Sequence, residues 1–479
     1  MPTSFRETFA KFAKDIFMLP ALKSPIPGPK STALAASLRR FESRNITFTS
    51  DSWPIFWDRA HGVNVWDPDG NRFLDFTSAF GVASLGHGND HVRKAAHLQL
   101  DRLGHAMGDV HPTEQKALLC QRLAEITFGA WNLGPAKVIL GNSGSDAIEA
   151  ALKTALLHSG RPGVIAFTGA YHGLGMGAVS TSGIPYFRSP FHPQLKDFAT
   201  FVPYPHCFRC PFGIREPFRL EGDPFPNCAT TCLTAIYDQI TTAIRQREIG
   251  AILVEPIQGR GGIIPPPRDF LPLLRRICDE EKILLIADEV LTGFNRTGKL
   301  FACNHFDIAP DIICLGKALA NGFPISACVG RADIMDAWPQ STGEALHTST
   351  FLGHPVGCAM ALASLELHTN PDTARQVRAT ARILRNSLAT LTSPHIGHIR
   401  GAGLMQGIEL IKKDNTPHPT LAANILQRAL GDGLILLADG PHSNVLSLTP
   451  PFEISPEEIT FLTARLQTYL NEAHLESPK

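Results

Sequence analysis

Neither sign of charge predominates: Lys+Arg and Asp+Glu each number 44 in a chain of 479 residues, so the formal net charge is zero. A chain without net charge has no global attraction to polyphosphate or anionic lipid, so neither nucleic acid nor a membrane is an expected partner. Long apolar runs are missing as well. Nothing approaches the ~18 consecutive apolar residues of a membrane span, and the longest buried-looking runs, such as Ile283 to Ala287, are strand-sized. Internal repeats and low-complexity tracts are also absent. Charged residues make up only 18% against 44% hydrophobic, which places the chain far from the disordered regime. The ten cysteines are scattered, and Cys278, Cys314 and Cys328 fall inside apolar runs. In a chain of this size that pattern argues against a disulfide framework and for a reducing, cytoplasmic setting.

What is present divides into four stretches. Phe5, Phe9, Phe12 and Ile16 have amphipathic-helix spacing, interrupted by Glu7 and Asp15, so no secretory apolar region is expected there. The stripe predicts packing in a core or a dimer. The Pro-rich residues 20–30 then set off an N-terminal arm, 1–40. Residues 63–76 alternate around Asp69-Gly70 and predict a hairpin within residues 41–110, the first part of a smaller domain.

From about residue 111 to 345 helices and short β-branched strands take turns. Helix is predicted over 114–127, 145–158 and 268–281, and strand at KVIL 137–140, VIAF 164–167, AILVE 251–255, ILLIAD 283–288 and DIICLG 311–316. Such alternation predicts an α/β fold with a mostly parallel sheet buried on both faces, whose sites lie at the carboxyl ends of its strands. An irregular insert with cysteines is expected at about 200–235. Residues 346–479, with helices predicted over 357–368, 373–391, 418–431 and 456–472, predict an α+β remainder of the smaller domain.

Three features at predicted strand ends carry chemistry. Gly141-Asn142-Ser143-Gly144-Ser145-Asp146 lies between strand and helix, where backbone N–H groups form an anion site; a plain N-cap has the same composition. Asp288 ends one buried run, and Lys317 follows the next, where desolvation favours an amine nucleophile. A turn cap is the bland alternative for Asp288. Acid, amine and phosphate cradle together suit pyridoxal 5'-phosphate, whose aldehyde needs a lysine and whose ring nitrogen needs a carboxylate.

The ordered motifs GNSGSDAIEAALKTA, GAYHG, VEPIQGRGG, ADEVLTGFNRTGKL, CLGKALANGFPISA, HTSTFLGHP and IRGAGLMQGIEL, spread over roughly residues 40–470, resemble the class III pyridoxal-phosphate aminotransferases of fold type I. That resemblance implies a seven-stranded, mostly parallel sheet in a large domain beside a smaller α+β domain. It implies that Ser143, Gly144 and Ser145 hold the phosphate, that Tyr171 and Val290 cover the two ring faces, and that Asp288 pairs with the ring nitrogen. Gln258 lies near the ring hydroxyl, Glu255 supports, and Lys317 bonds the cofactor. Thr350 is expected to reach the phosphate of a neighbouring subunit, which requires a homodimer. Arg400, Arg260 and Phe80 are the expected substrate-facing residues, with Arg400 on the α-carboxylate. His172 is carried with the cofactor-binding residues, although a satisfied turn histidine is its simpler reading.

The activity implied is ping-pong transfer of an amino group from an amino acid or ω-amino acid, 4-aminobutyrate-like, to a 2-oxo acid such as 2-oxoglutarate. Two departures bear on the substrate. Leu174 follows YHG where relatives using 4-aminobutyrate carry arginine, and Arg260 replaces the glutamate of QGEGG. A cation at 260 is expected to repel Arg400 and to favour a second substrate carboxylate. A racemase or epimerase on the same scaffold is the alternative activity, and a non-catalytic cofactor- or zinc-binding scaffold the third.

Two further motifs carry less. Gly293 to Lys299 fits GxxxxGK, but Leu300 stands where a P-loop needs Ser or Thr. Cys207-x2-Cys210 and Cys228-x3-Cys232 have zinc-knuckle spacing; packed thiols are the alternative, and no metal is assigned.

Overall fold

The structure is a computed structural model that describes residues 18–50, 52–213, 225–226 and 230–475. The Phe stripe of residues 5–16 and Cys228 lie outside these.

The predicted hairpin forms. Strands β1 (Arg59–His61), β2 (Asn64–Trp66) and β3 (Arg72–Asp75) make an antiparallel meander, with Gly70 at φ +86 in the turn between β2 and β3. A positive φ is cheap only for glycine, which explains the Asp-Gly signal.

The central sheet holds seven strands: β4 (Ala136–Gly141), β5 (Gly163–Phe167), β6 (Ala199–Val202), β7 (Ile249–Val254), β8 (Leu284–Asp288), β9 (Ile312–Leu315) and β10 (Ser326–Arg331). Their spatial order is β4-β10-β9-β8-β7-β5-β6. Every pairing from β9 to β6 is parallel, whereas β10 runs antiparallel to both β4 and β9. Hence β4 points the same way as β9, and β4, β5, β7, β8 and β9 all end on one edge.

Alternate residues of each strand feed opposite cores. Ile165, Ile252 and Leu285 face Phe270, Leu271 and Leu274 of the helix Phe270–Glu281, while Val164, Leu253 and Ile286 face Ala147 and Ala151 of the helix Gly144–Ser159. Each fully buried Ile or Leu contributes roughly 1.5–3 kcal/mol, and the central strands β5, β7, β8 and β9, covered on both faces, carry no charged residue before their ends. The edge strands are freer: β4 carries the exposed Lys137 and β6 carries Thr200.

The remaining strands are β11 (Ile396–Ala402), β12 (Met405–Leu410), β13 (Leu434–Ile435), β14 (Leu437–Asp439) and β15 (Val445–Leu448). Four form a sheet in the order β11-β12-β15-β14, and β13 instead pairs parallel with β3, joining early and late segments in one sheet.

Four elements depart from expectation. β6 and β10 lie where no strand is predicted. The helix Thr230–Gln246 occupies the end of the presumed irregular insert; its Thr- and Ile-rich sequence has modest helix propensity, and burial of Ile236 and Ile240 compensates. The helix expected over 114–127 is α-helical only over Glu114–Ala124 and continues as a π-turn, Glu125–Gly129.

Candidate active site

Five loops meet at the shared edge of the sheet. After β4, Ser143 caps the helix Gly144–Ser159. Its Oγ accepts from Asp146 N–H at 3.2 Å, and Asp146 Oδ2 accepts from the N–H groups of Asn142 and Ser143 at 2.9 and 3.0 Å. The capping box therefore satisfies those donors. It leaves the N–H groups of Gly144 and Ser145, the first two helical residues, without acceptors in the helix. The segment is an N-cap, and the anion site read from it would use these two N–H groups.

After β5 come Tyr171 and His172. Tyr171 is half-buried, with its ring 5.2 Å from that of Phe187. His172 is buried, and its Nδ1 meets Asp288 Oδ2 at 2.7 Å; Val290 N–H donates to Asp288 Oδ1 at 3.1 Å. His172 thus ties the loop after β5 to the end of β8. Gly173, at φ +109, lets this loop close on the cap: a Cβ there would lie 2.7 Å from Ser145 Cβ. Gly175 N–H donates to Ser145 Oγ at 2.9 Å. Glycine at 144 has a similar reason, since a Cβ would lie 2.8 Å from Val290 Cγ1.

After β7, Glu255 is buried and accepts from Tyr171 N–H at 3.0 Å and Gly259 N–H at 2.9 Å. Burial pushes its carboxyl up to about 7, with His172 opposing and Asp288 adding to the shift. Gln258 Nε2 donates to Thr168 O at 3.0 Å, which fixes the amide beside the loop after β5. Lys317 follows β9 at φ +43. Burial lowers its ammonium pKa, while Asp288, Glu255 and Asp439 pull it back up and Arg260 lowers it further.

The substrate-side residues separate. Arg260 Nη1 pairs with Asp439 Oδ1 at 2.9 Å, and its guanidinium lies 5.7 Å from the Phe187 ring. Arg400 is buried; its Nη1 meets Glu409 Oε2 at 2.5 Å, and it donates to the carbonyls of Gly262 and Ile263. Arg209 grips the other oxygen of Glu409. The charges acting on Arg400 are Glu409 and Arg209, so the expected repulsion by Arg260 gives way to two separate ion pairs.

Phe80 is exposed and belongs to a turn in which Ser78, Ala79 and Phe80 all have positive φ. The buried Arg296 pins this turn, donating to Ser84 Oγ at 2.8 Å, Ser78 Oγ at 3.3 Å and Pro450 O at 2.6 Å. At Gly81 a Cβ would meet Leu291 Cδ1 at 2.6 Å, with Lys317 Cδ at 3.9 Å, so the turn abuts the lysine. Thr350 is exposed and contributes no contact to this cluster; its neighbour Ser349 accepts from Asn142 Nδ2 at 3.3 Å.

Among the described residues no group of three or more His, Cys, Asp or Glu is placed to hold a metal. Cys232 is buried in the core beside β5 and β7 and Cys210 packs against it, while Cys228 of the zinc-knuckle spacing lies outside the described residues. No described helix is long and apolar enough to cross a membrane.

Asp439, Glu409, Arg209 and Phe187 are site neighbours that sequence reasoning missed. Glu409 stands in the same IRGAGLMQGIEL motif as Arg400, which was the available signal for that pair, whereas Asp439, Arg209 and Phe187 lie outside every motif.

A buried amine, a buried carboxylate held by histidine, an open helix N-terminus and a half-buried aromatic ring at one sheet edge fit pyridoxal 5'-phosphate in charge and chemistry. The fold and site thus fit an enzyme of the pyridoxal-phosphate kind. The family model described as "Aminotransferase class-III" matches residues 47–470, and the chain belongs to that family. It is 36% identical over 445 residues to the 4-aminobutyrate aminotransferase of Mycobacterium leprae, covering 91% of this chain and 94% of that one. It is 32% identical over 454 residues to an alanine/serine racemase of Pyrococcus horikoshii, covering 94% and 93%. An amine transaminase from an uncultivated Pseudomonas species, solved in its cofactor-bound form, superposes with a TM-score of 0.78 at 28% identity over 90% of this chain and 98% of that one. The protein is a pyridoxal-phosphate-dependent aminotransferase.

Proposed function

We propose that this aminotransferase is a cytoplasmic homodimer that takes the amino group of an amino acid or a 4-aminobutyrate-like ω-amino acid and delivers it to a 2-oxo acid such as 2-oxoglutarate. The observation that carries the reading is Lys317: an amine of lowered pKa, set at the sheet edge that also holds Asp288. The relatedness to 4-aminobutyrate aminotransferases supports the substrate class. When bound, pyridoxal phosphate supplies an aldehyde that accepts the amino group and a ring that withdraws electrons from the substrate Cα.

In this reading Lys317 anchors the cofactor and, once released, moves the proton at the substrate Cα, which a lowered pKa suits. Asp288 keeps the ring nitrogen protonated, and His172 holds Asp288 in place. The N–H groups of Gly144 and Ser145, with Ser143, receive the phosphate. Tyr171 and Val290 cover the ring faces, Gln258 sits beside the ring hydroxyl, and Glu255 ties the Tyr171 loop to the Gly259 turn. Phe80, on the turn that abuts Lys317, borders the substrate. Thr350, exposed on its own subunit, completes the phosphate site of a second one.

The test is a single-turnover reaction of holoenzyme with a panel of α- and ω-amino acids and no oxo acid. Stoichiometric formation of the matching oxo acid, with the amino group retained by the enzyme, is expected. Loss of optical rotation by an L-amino acid without any oxo acid would assign the racemase activity instead.

A further inference from the structure

The two arginines read as substrate-facing differ in what their N–H groups are doing. Arg400 spends its donors on the protein: Nε and Nη2 on the carbonyls of Gly262 and Ile263, Nη1 on Glu409, with the side chain 3% exposed. These bonds hold the turn at 259–263 against β11. Arg260 sits on that same turn, and its backbone carbonyl is fixed by Gly440 N–H at 3.0 Å. Its side chain is 40% exposed, and Asp439 is its one ion-pair partner among the described residues, engaged through Nη1 alone. A guanidinium carries five N–H donors in a planar fork, so the edge away from Asp439 stays open for a carboxylate.

The surroundings of Arg260 are those of a substrate pocket. Phe187 stands beneath the guanidinium and against Tyr171. The charges of both Arg260 and Asp439 reach Lys317. Asp439 is 10% exposed and sits at the end of β14, where it fixes the direction of the fork.

We propose that Arg260, oriented by Asp439, receives a substrate carboxylate, on a turn that the hydrogen bonds of Arg400 brace. The inference rests on the aminotransferase reading and names the substrates of that site as amino and oxo acids whose carboxylate reaches Arg260. Asp439 keeps the fork aimed while the site is empty, and the bound carboxylate adds a second anion to the opposite edge. Phe187 shields that contact from water, which strengthens it.

The experiment compares holoenzyme with Arg260→Gln and Arg260→Lys. Propionate and glutarate serve as unreactive probes, bound in calorimetric titrations, and KM and kcat are followed for a carboxylate donor and a carboxylate-free primary amine. Loss of a charge-assisted pair is expected to weaken probe binding by roughly 10- to 100-fold in Arg260→Gln, with partial recovery in Arg260→Lys. In half-reactions run without an oxo acid, KM for the carboxylate donor rises by a similar factor, KM for the plain amine does not rise with it, and Arg260→Lys recovers part of the carboxylate effect alone. Probe affinity in Arg260→Gln within about twofold of wild type overturns the proposal, as does wild-type holoenzyme that binds neither probe. Failure of the aminotransferase reading would show separately, as wild-type holoenzyme that deaminates no donor.

Discussion

His172 and Asp288 form a buried pair, Nδ1 to Oδ2 at 2.7 Å, joining the loop after β5 to the end of β8. With Val290 N–H on the other oxygen, the carboxylate is fixed on both sides. Replacing His172 by Phe removes the charge-assisted partner and is expected to weaken cofactor affinity by about 10- to 100-fold, the equivalent of about 1.5–3 kcal/mol. Titrating the cofactor into stripped protein measures it. His172→Asn, which keeps a donor, recovers part of the loss.

Lys317→Ala is expected to lower turnover by about 10²- to 10⁴-fold, the range for losing a positioned proton-transfer group. The variant should still bind cofactor through the helix N-terminus and Asp288, but without the visible absorbance of the lysine-bonded form. Full activity in the variant would sink the assignment of this amine.

Glu255 gives stability a pH dependence. Its carboxyl is pushed from 4.5 up to about 7 in the folded state, chiefly by burial. The folded protein therefore binds more protons than the unfolded chain across that window, and stability falls as pH rises through it. Glu255→Gln has no such group, so the melting temperature of cofactor-free wild type should drop relative to the variant between about pH 5 and pH 8. A constant difference across the range would contradict the shift.

Glu409 separates two guanidinium groups. Glu409→Gln leaves Arg400 and Arg209 facing each other without a counter-charge and should cost about 3–5 kcal/mol, read from denaturant unfolding. Arg209→Ala, a one-third exposed partner, should cost about 1 kcal/mol, because Arg400 still neutralises the carboxylate.

Much of the site was legible because a double-sided sheet makes polar residues conspicuous. Asp288 and Lys317 stand out only because Leu284 to Ala287 and Ile312 to Leu315 admit nothing polar. The cradle at Ser143–Asp146 was legible for a local reason, since caps are built within four residues. Asp439 and Glu409 were not. Asp439 lies 179 residues from Arg260 and Arg209 lies 200 from Glu409, and an ion pair across such separations leaves no periodic trace; Glu409 stands only nine residues from Arg400, but on the next strand of a hairpin whose register the sequence does not announce. β10 was hidden by its direction: an antiparallel strand inserted between β4 and β9 breaks the strand–helix–strand rhythm that revealed the others.

The order β4-β10-β9-β8-β7-β5-β6 also bears on how the protein reaches its working state. Each loop of the site follows a different strand, and strands adjacent in space are often distant in sequence; Gly141 of β4 pairs with Ser326 of β10. Long-range pairing of this kind is slow to form, and no continuous fragment shorter than about residues 136–317 contains all five of these strands and Lys317. Cofactor capture is then an all-or-none reporter of completed topology: nascent or truncated chains remain colourless until the last central strand is seated.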